Sequence, residues 1–429
     1  MKLERYSKPF LILLSVLICF FIFATHFSFE NRITDEAAEK TGLPSLYIST
    51  ENLKRIISRE DYVKGSYNIN GQMGSCKIRG RGNSTWDMKK KPYLLKFDNP
   101  TPFLGMPQAR KWVLMANGGD NTNLRNAYAT YLAENVFRHF KWTPHYRFVN
   151  LFINGRYEGI YQVYEKIEAS ESRLNIPDPE SNFHLNGSVI LVTDTRNKKP
   201  VHFVSSRGIQ FSLYSPKELS GTMKTFLINR VNEFEALLFG DNFADPENGY
   251  RKYIDVDAFV DWYLINEFTK NRDARFKDSC YLYYDESDGK IDMGPIWDFD
   301  ISCGNNSYEE TSGFEGYWIR TEAAWYRRLM EDPYFRKKVI DRWNSRQEAL
   351  LKSFDDIYSL SRKIKSASEL DDKAWRKIGH YQWPHAPGWS SRRTYDDEVD
   401  YFMGWIKSRR DWLNEDLKNN NYYETGTTK

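Results

Sequence analysis

Cysteine is scarce: 4 of 429 residues, at Cys19, Cys76, Cys280 and Cys303. No C-x-x-C pair and no Cys/His spacing links them, which argues against a structural zinc site. Cys19 lies in an apolar run, so the other three allow at most one disulfide, and nothing in the sequence establishes it. Glycine (25) and proline (16) are too few for a fibrous or low-complexity chain. Neither sign of charge dominates: 61 Lys+Arg against 58 Asp+Glu leave +3. That balance gives no broad field for a polyanion, and no nucleic-acid partner is expected. There is no GxxxxGK[ST] phosphate loop and no internal repeat. Aromatic residues are plentiful, at 27 Phe, 28 Tyr and 13 Trp. Because they are scattered through every strand and helix pattern, they read as core packing rather than a sugar-stacking platform.

Long apolar runs are also few, with one exception. After Lys2, Arg5 and Lys8, residues 9–29 contain no charge, enough for one transmembrane helix. The basic flank places everything after residue 30 outside the cytoplasm, periplasmic or at the cell surface. A signal peptide is the competing reading and would make the chain secreted, but no small-x-small cleavage site follows Ala24. An uncleaved anchor is therefore expected over 1–30, a polar linker over 31–44, one domain over 45–418 and a polar tail over 419–429.

The domain begins rich in strands: 45–50, 75–80, 92–97, 111–116, 147–153 and 159–167 are short, aromatic or β-branched, and bounded by Gly, Asn or Pro. One helix, 121–140, interrupts them. Further strands are predicted at 188–193 and 209–214, helices at 225–240 and at 255–271 with Asp257 as N-cap, and a hairpin over 280–300. Residues 320–418 read as largely helical, broken by the loop YQWPHAPGWS. His380 and His385 in that loop are assigned to surface or packing roles.

Two constellations carry chemistry. A hairpin turn between Ser287 and Asp288 makes facing residue numbers sum to about 575. Asp273, Asp278, Asp298 and Asp300 then gather at its open end. Four carboxylates with water access repel unless a cation offsets them, which is the logic of an oxygen-ligated Mg²⁺ or Mn²⁺ site. The alternative is that they cap turns and pair with Arg272, Arg275 and Lys277. The second constellation is KIRGRGNSTWDMKKKPYLLKF (77–97). Here Gly80 and Gly82 allow close backbone approach, Arg79 and Arg81 bring charge, and Lys96 sits in a strand, a combination suited to holding phosphates.

The segments RGRGNSTW, KKPYLLKF, KWVLMANGGDNTNLRN, VNLFINGRYEGIYQVYEKI and GPIWDFDISCGN, in this order over about residues 45–305, resemble the CotH spore-coat kinase family of atypical protein kinases. The resemblance implies an α+β, two-lobed protein-kinase-like fold, with a sheet-rich N-lobe over about 45–167 and a helix-rich C-lobe over about 168–418. It also implies ATP with Mg²⁺ or Mn²⁺ and phosphoryl transfer to Ser or Thr of a protein. Carried onto this chain, Lys96 contacts phosphates with Arg79 and Arg81, Asp273 orients the acceptor hydroxyl, and Asp298 holds metal. Asp300 is a second metal ligand. Asp278 is a third, at a position where alignment on YLY would instead place Ser279. Glu134 is assigned an ion pair with Lys96, the alternative being a solvated helix carboxylate. Glu165 is a hinge-side acid near the nucleotide, or else a strand-end partner of Lys166. A non-catalytic surface protein on the same scaffold is the alternative to an enzyme.

Overall fold

The computed structural model describes residues 33–176, 188–196 and 199–418. The apolar run at 9–29 and the polar tail lie outside the described residues. No helix among the described residues is long and apolar enough to cross a membrane, so the expected transmembrane helix is not part of the fold as described.

Seven strands form the first body: β1 Ser45–Thr50, β2 Val63–Ile69, β3 Gln72–Gly80, β4 Tyr93–Phe103, β5 Met106–Met115, β6 Tyr146–Ile153 and β7 Arg156–Glu165. They close in the order β1-β2-β3-β4-β5-β7-β6. The seam is a parallel pairing of β1 with β6, Leu46 opposite Leu151 and Ile48 opposite Ile153. Alternation drives the closure: Ile78, Leu95, Phe97, Trp112, Leu114 and Tyr161 point inward and are buried, while their neighbours along each strand point out. Here the expectation of a kinase-like, two-lobed fold is corrected. The barrel's strands pair on both sides around a complete ring, so this body is a mixed barrel and not an open N-lobe sheet.

A second sheet runs β12-β11-β8-β10-β9, from β8 Val189–Asp194, β9 His202–Val204, β10 Gln210–Ser215, β11 Asp278–Asp285 and β12 Lys290–Met293. The hairpin register is the one read from the sequence, with Leu282 opposite Met293 and Tyr283 opposite Asp292. Pairing stops at Met293, earlier than expected. Gly294, at φ +112°, turns the chain and Pro295 has no N–H to donate. Asp298 and Asp300 therefore lie on a loop and not on a strand.

Helices pack around both sheets: α1 Arg125–Tyr131, continued by a wider turn over Leu132–Val136, α2 Gly221–Leu238, α3 Val256–Thr269, α4 Pro333–Ser345, α5 Gln347–Trp375 and α6 Tyr395–Lys418. The expected 121–140 helix starts late because Asp120 ties up the preceding turn, accepting from the Thr122 N–H and hydroxyl at 3.0 and 2.7 Å. Helix α3 is buried on every face from Ala258 to Thr269. Its N-cap is Asp255, which accepts from Ala258 N–H at 3.0 Å, and not Asp257, which pairs with Lys338 and Arg342. The aromatic surplus goes largely into this core: Trp325, Trp343, Tyr128, Tyr263 and Tyr326 are fully buried.

Candidate functional cleft

Where the barrel meets the second sheet, a cleft of about 180 Å³ opens. Its lining holds four acids, Asp273, Asp278, Asp298 and Asp300, and three cations, Arg81, Arg196 and Lys199. Arg81 comes from the turn after β3, where Gly82 at φ +87° lies so close to Thr85 that a Cβ would come within 2.2 Å of its hydroxyl. Beneath the cleft a narrower pocket runs past Arg81, Asp298 and Asp300 to Lys90, Asn117 and Asn126.

The sequence thus brings four acids together, each held differently. Asp298 has a left-handed backbone, φ +70°, which aspartate tolerates better than most residues. Its Oδ2 accepts from the Ser279 hydroxyl at 2.8 Å. Asp278 instead accepts from Thr195 N–H at 3.1 Å and pairs with Arg196 at 3.1 Å. Of the two alignments weighed for this position, it is Ser279 that touches Asp298. Burial, followed by the charges of Asp298 and Asp278, pushes the Asp273 carboxyl up to about 6. Burial, then Asp298, Asp273 and Asp120, raises Asp300 well above the carboxylate range.

Both shifts come first from burial and then from the neighbouring acids, against which Lys277 and Arg196 act only in part at Asp273. Arg196 is already shared between Asp194 and Asp278, and no cation is paired with Asp273, Asp298 or Asp300 among the described residues. Beside them Asn271, 3% exposed, has a buried side-chain oxygen with no hydrogen-bond partner. Hard oxygen donors short of positive charge fit a divalent ion such as Mg²⁺ or Mn²⁺.

Much of the geometry comes from residues to which sequence reasoning gave no chemistry. Asn126 Oδ1 accepts from Phe299 N–H at 2.8 Å, between the two loop aspartates. Asn126 donates to Asn117 at 3.2 Å, and Asn117 donates to Gln162 of β7 at 2.8 Å. Asn305 donates to Gly119 O and Asp300 O at 2.8 and 2.7 Å. Arg125, paired with Asp120 at 2.6 Å, donates to Ser302 O at 3.0 Å. The stretch MANGGDNTNLRN is therefore a clamp on the 298–305 loop, and its run of Asn was the available signal. Trp383, from the loop containing the two histidines, also lines the cleft. His385 itself stacks on Trp389, ring centroids 4.7 Å apart, and His380 bonds to Ile378 O.

Other predicted site residues lie elsewhere. Lys96 faces a neighbouring groove with Arg110, Lys111 and Glu168, its ammonium 5.7 Å from the centre of the Tyr62 ring. Arg79 stacks on that ring and donates to Arg59 O. Glu134 does not meet Lys96. It stands 3.5 Å from His145, which also bonds fully buried Glu165 at 2.7 Å.

The family model described as CotH kinase protein matches residues 78–413. The inner spore coat protein H of Bacillus subtilis (strain 168) is 24% identical over 375 residues, 85% of this chain and 93% of that protein. With the matched region spanning β4 to β12, the cleft and its asparagine clamp, the chain belongs to the CotH kinase protein family.

Proposed function

We propose that the cleft transfers the terminal phosphoryl group of ATP to a Ser or Thr hydroxyl of a surface-layer protein. The observation that carries this reading is the set Asp273, Asp298 and Asp300, without an ion pair among the described residues, lining one cleft with Arg81, Arg196 and Lys199. Asp298 and Asp300, with the Asn271 oxygen, would hold the divalent ion. When bound, that ion neutralises phosphate charge. Arg81 and Lys199 orient the phosphate oxygens, and Arg196, paired with Asp194 and Asp278, adds positive charge beside them. Asp273 accepts the proton as the acceptor oxygen forms its bond to the γ-phosphorus. The bond to the β–γ bridging oxygen breaks and ADP leaves. A carboxyl raised to about 6 is ionised at neutral pH yet basic enough for this step. Most of the catalysis is then positioning and charge neutralisation. The name of the Bacillus relative, an inner spore coat protein, supports a coat or surface acceptor.

The test is transfer of label from γ-labelled ATP to a protein acceptor with Mg²⁺ or Mn²⁺, together with intact-mass analysis of the product. A mass gain of one phosphoryl group, lost in both Asp273→Ala and Asp298→Ala, supports the proposal. Equal labelling by wild type and both variants would sink it. Stabilisation by ATP and metal without transfer would favour a non-catalytic coat scaffold.

A further inference from the structure

Four lysines stand side by side on the outer face of the barrel. Lys64 of β2 is opposite Lys77 of β3, Lys77 opposite Lys96 of β4, and Lys96 opposite Lys111 of β5. Their chain neighbours Val63, Ile78, Leu95 and Trp112 fill the barrel core, so the lysines point outward. Just past the end of β7, Lys166 falls in the same line, since Trp112 is opposite Glu165. With strands about 4.8 Å apart, the first four span about 14 Å.

Like charges opposite one another on adjacent strands repel, and the nearby acids offset them only in part. Lys64, Lys77, Lys96 and Lys111 form no ion pair among the described residues. Glu168, the acid that acts on Lys111, is taken by Arg173 at 2.8 Å and Lys166 at 4.0 Å. Asp98, also on the outer face of β4, is bonded to Ser75 at 2.5 Å. Burial and then the charge of Lys166 hold the Lys111 ammonium below its usual value.

We propose that this row is a docking surface for an acidic segment of a partner polypeptide. Acids at every second position of an extended chain share one face at intervals of about 6.8 Å, so three of them span about 14 Å, the length of the row. A nucleic acid fits less well. The row is one lysine wide and the chain's net charge is only +3, which leaves little counterion release to drive binding. The row also leads somewhere: Lys166 and Lys199 flank the Tyr214 ring at 4.6 and 5.4 Å, and Tyr214 and Lys199 line the cleft. That the docked chain also carries the acceptor hydroxyl rests on the transfer activity proposed above; the docking does not.

Fluorescence anisotropy tests the docking without ATP or metal, so its outcome is separate from that of the transfer assay. A labelled extended peptide with glutamate at every second position is titrated with the full-length chain at about 50 mM salt, beside its glutamine counterpart. The glutamate peptide should bind at least about tenfold more tightly, and Lys77→Glu/Lys111→Glu should weaken it about tenfold. Lys77→Gln/Lys111→Gln, which relieves repulsion, should also weaken binding while its Tm does not fall. Equal affinity for the two peptides, or unchanged affinity in both double variants, overturns the proposal. So does tighter binding of a heparin fragment or short single-stranded DNA of equal charge number.

Discussion

Lys90 and Asp371 meet 2.7 Å apart with both side chains essentially out of solvent, joining the turn before β4 to helix α5. Lys377 reaches the other carboxylate oxygen at 2.8 Å, and Lys90 also donates to Ile160 O at 2.6 Å. The two lysines hold Asp371 below the usual carboxylate range despite its burial. Burial wins at Lys90, whose ammonium falls to about 8. Asp371→Ala leaves two buried cations unpaired and should cost about 3–5 kcal/mol in urea unfolding. Gly159→Ala should be comparably damaging: its backbone is at φ +110° and the added Cβ would lie 2.0 Å from Asp371 Oδ1. Replacing Lys90, Asp371 and Lys377 together by apolar residues should cost less than removing Asp371 alone.

Asp273→Asn and Asp298→Asn should separate chemistry from binding. The first should keep stabilisation by ATP and metal in a thermal-shift assay while transfer falls by about 10²–10⁴. The second should lose the stabilisation as well. In the proposed transfer Asp273 would accept a proton only when ionised, and its carboxyl is pushed up to about 6, so transfer by the wild type should rise with pH through that region and level off above it.

Asn126→Ala should loosen the loop between Asp298 and Asp300. It leaves the buried Phe299 N–H unpaired, at a stability cost of about 1–3 kcal/mol. Transfer should drop by about tenfold or more because the loop acids lose their fixed placement. Unchanged kinetics in a folded Asn126→Ala protein would remove the clamp from the mechanism.

His145 makes part of the stability pH-dependent. Its bond to Glu165, and then the charges of Glu165 and Glu134, raise its pKa above the ordinary value of 6.5 against burial and Arg147. The charged form is therefore favoured by folding. Its stabilisation is fully present below the ordinary value and is lost as pH rises through the raised one. The Tm advantage of wild type over His145→Gln should shrink across that interval.

Cys76, Cys280 and Cys303 are free and buried, and burial pushes each thiol up to about 12. Alkylation mapped by mass spectrometry should spare all three in the native protein and modify all three in guanidinium. A mild oxidant should not change the Tm.

What was legible in the sequence was local. Alternation at Ile78, Leu95 and Leu114 marks strands, and Ser287-Asp288-Gly289 sets the register that pairs Leu282 with Met293. The acids 273, 278, 298 and 300 could be grouped because one hairpin carries them together. The parallel seam between β1 and β6 was not legible. It joins Ile48 to Ile153 across about a hundred residues, and no periodicity records which strands close a ring. Lys96 illustrates the same gap. Its strand was read correctly, but which wall of which opening an outward side chain meets is decided by how two sheets are set against each other.

The parallel seam bears on where the gene can be cut. The match to the family model begins at residue 78, near the C-terminal end of β3 Gln72–Gly80. An expression fragment trimmed to that boundary would discard β1, β2 and most of β3. It would open the ring at β4 and β6, presenting two raw hydrogen-bonding margins that recruit other chains. A boundary ahead of Ser45 keeps the ring whole, so insolubility of the shorter fragment would report the missing staves rather than an intrinsically unstable matched region.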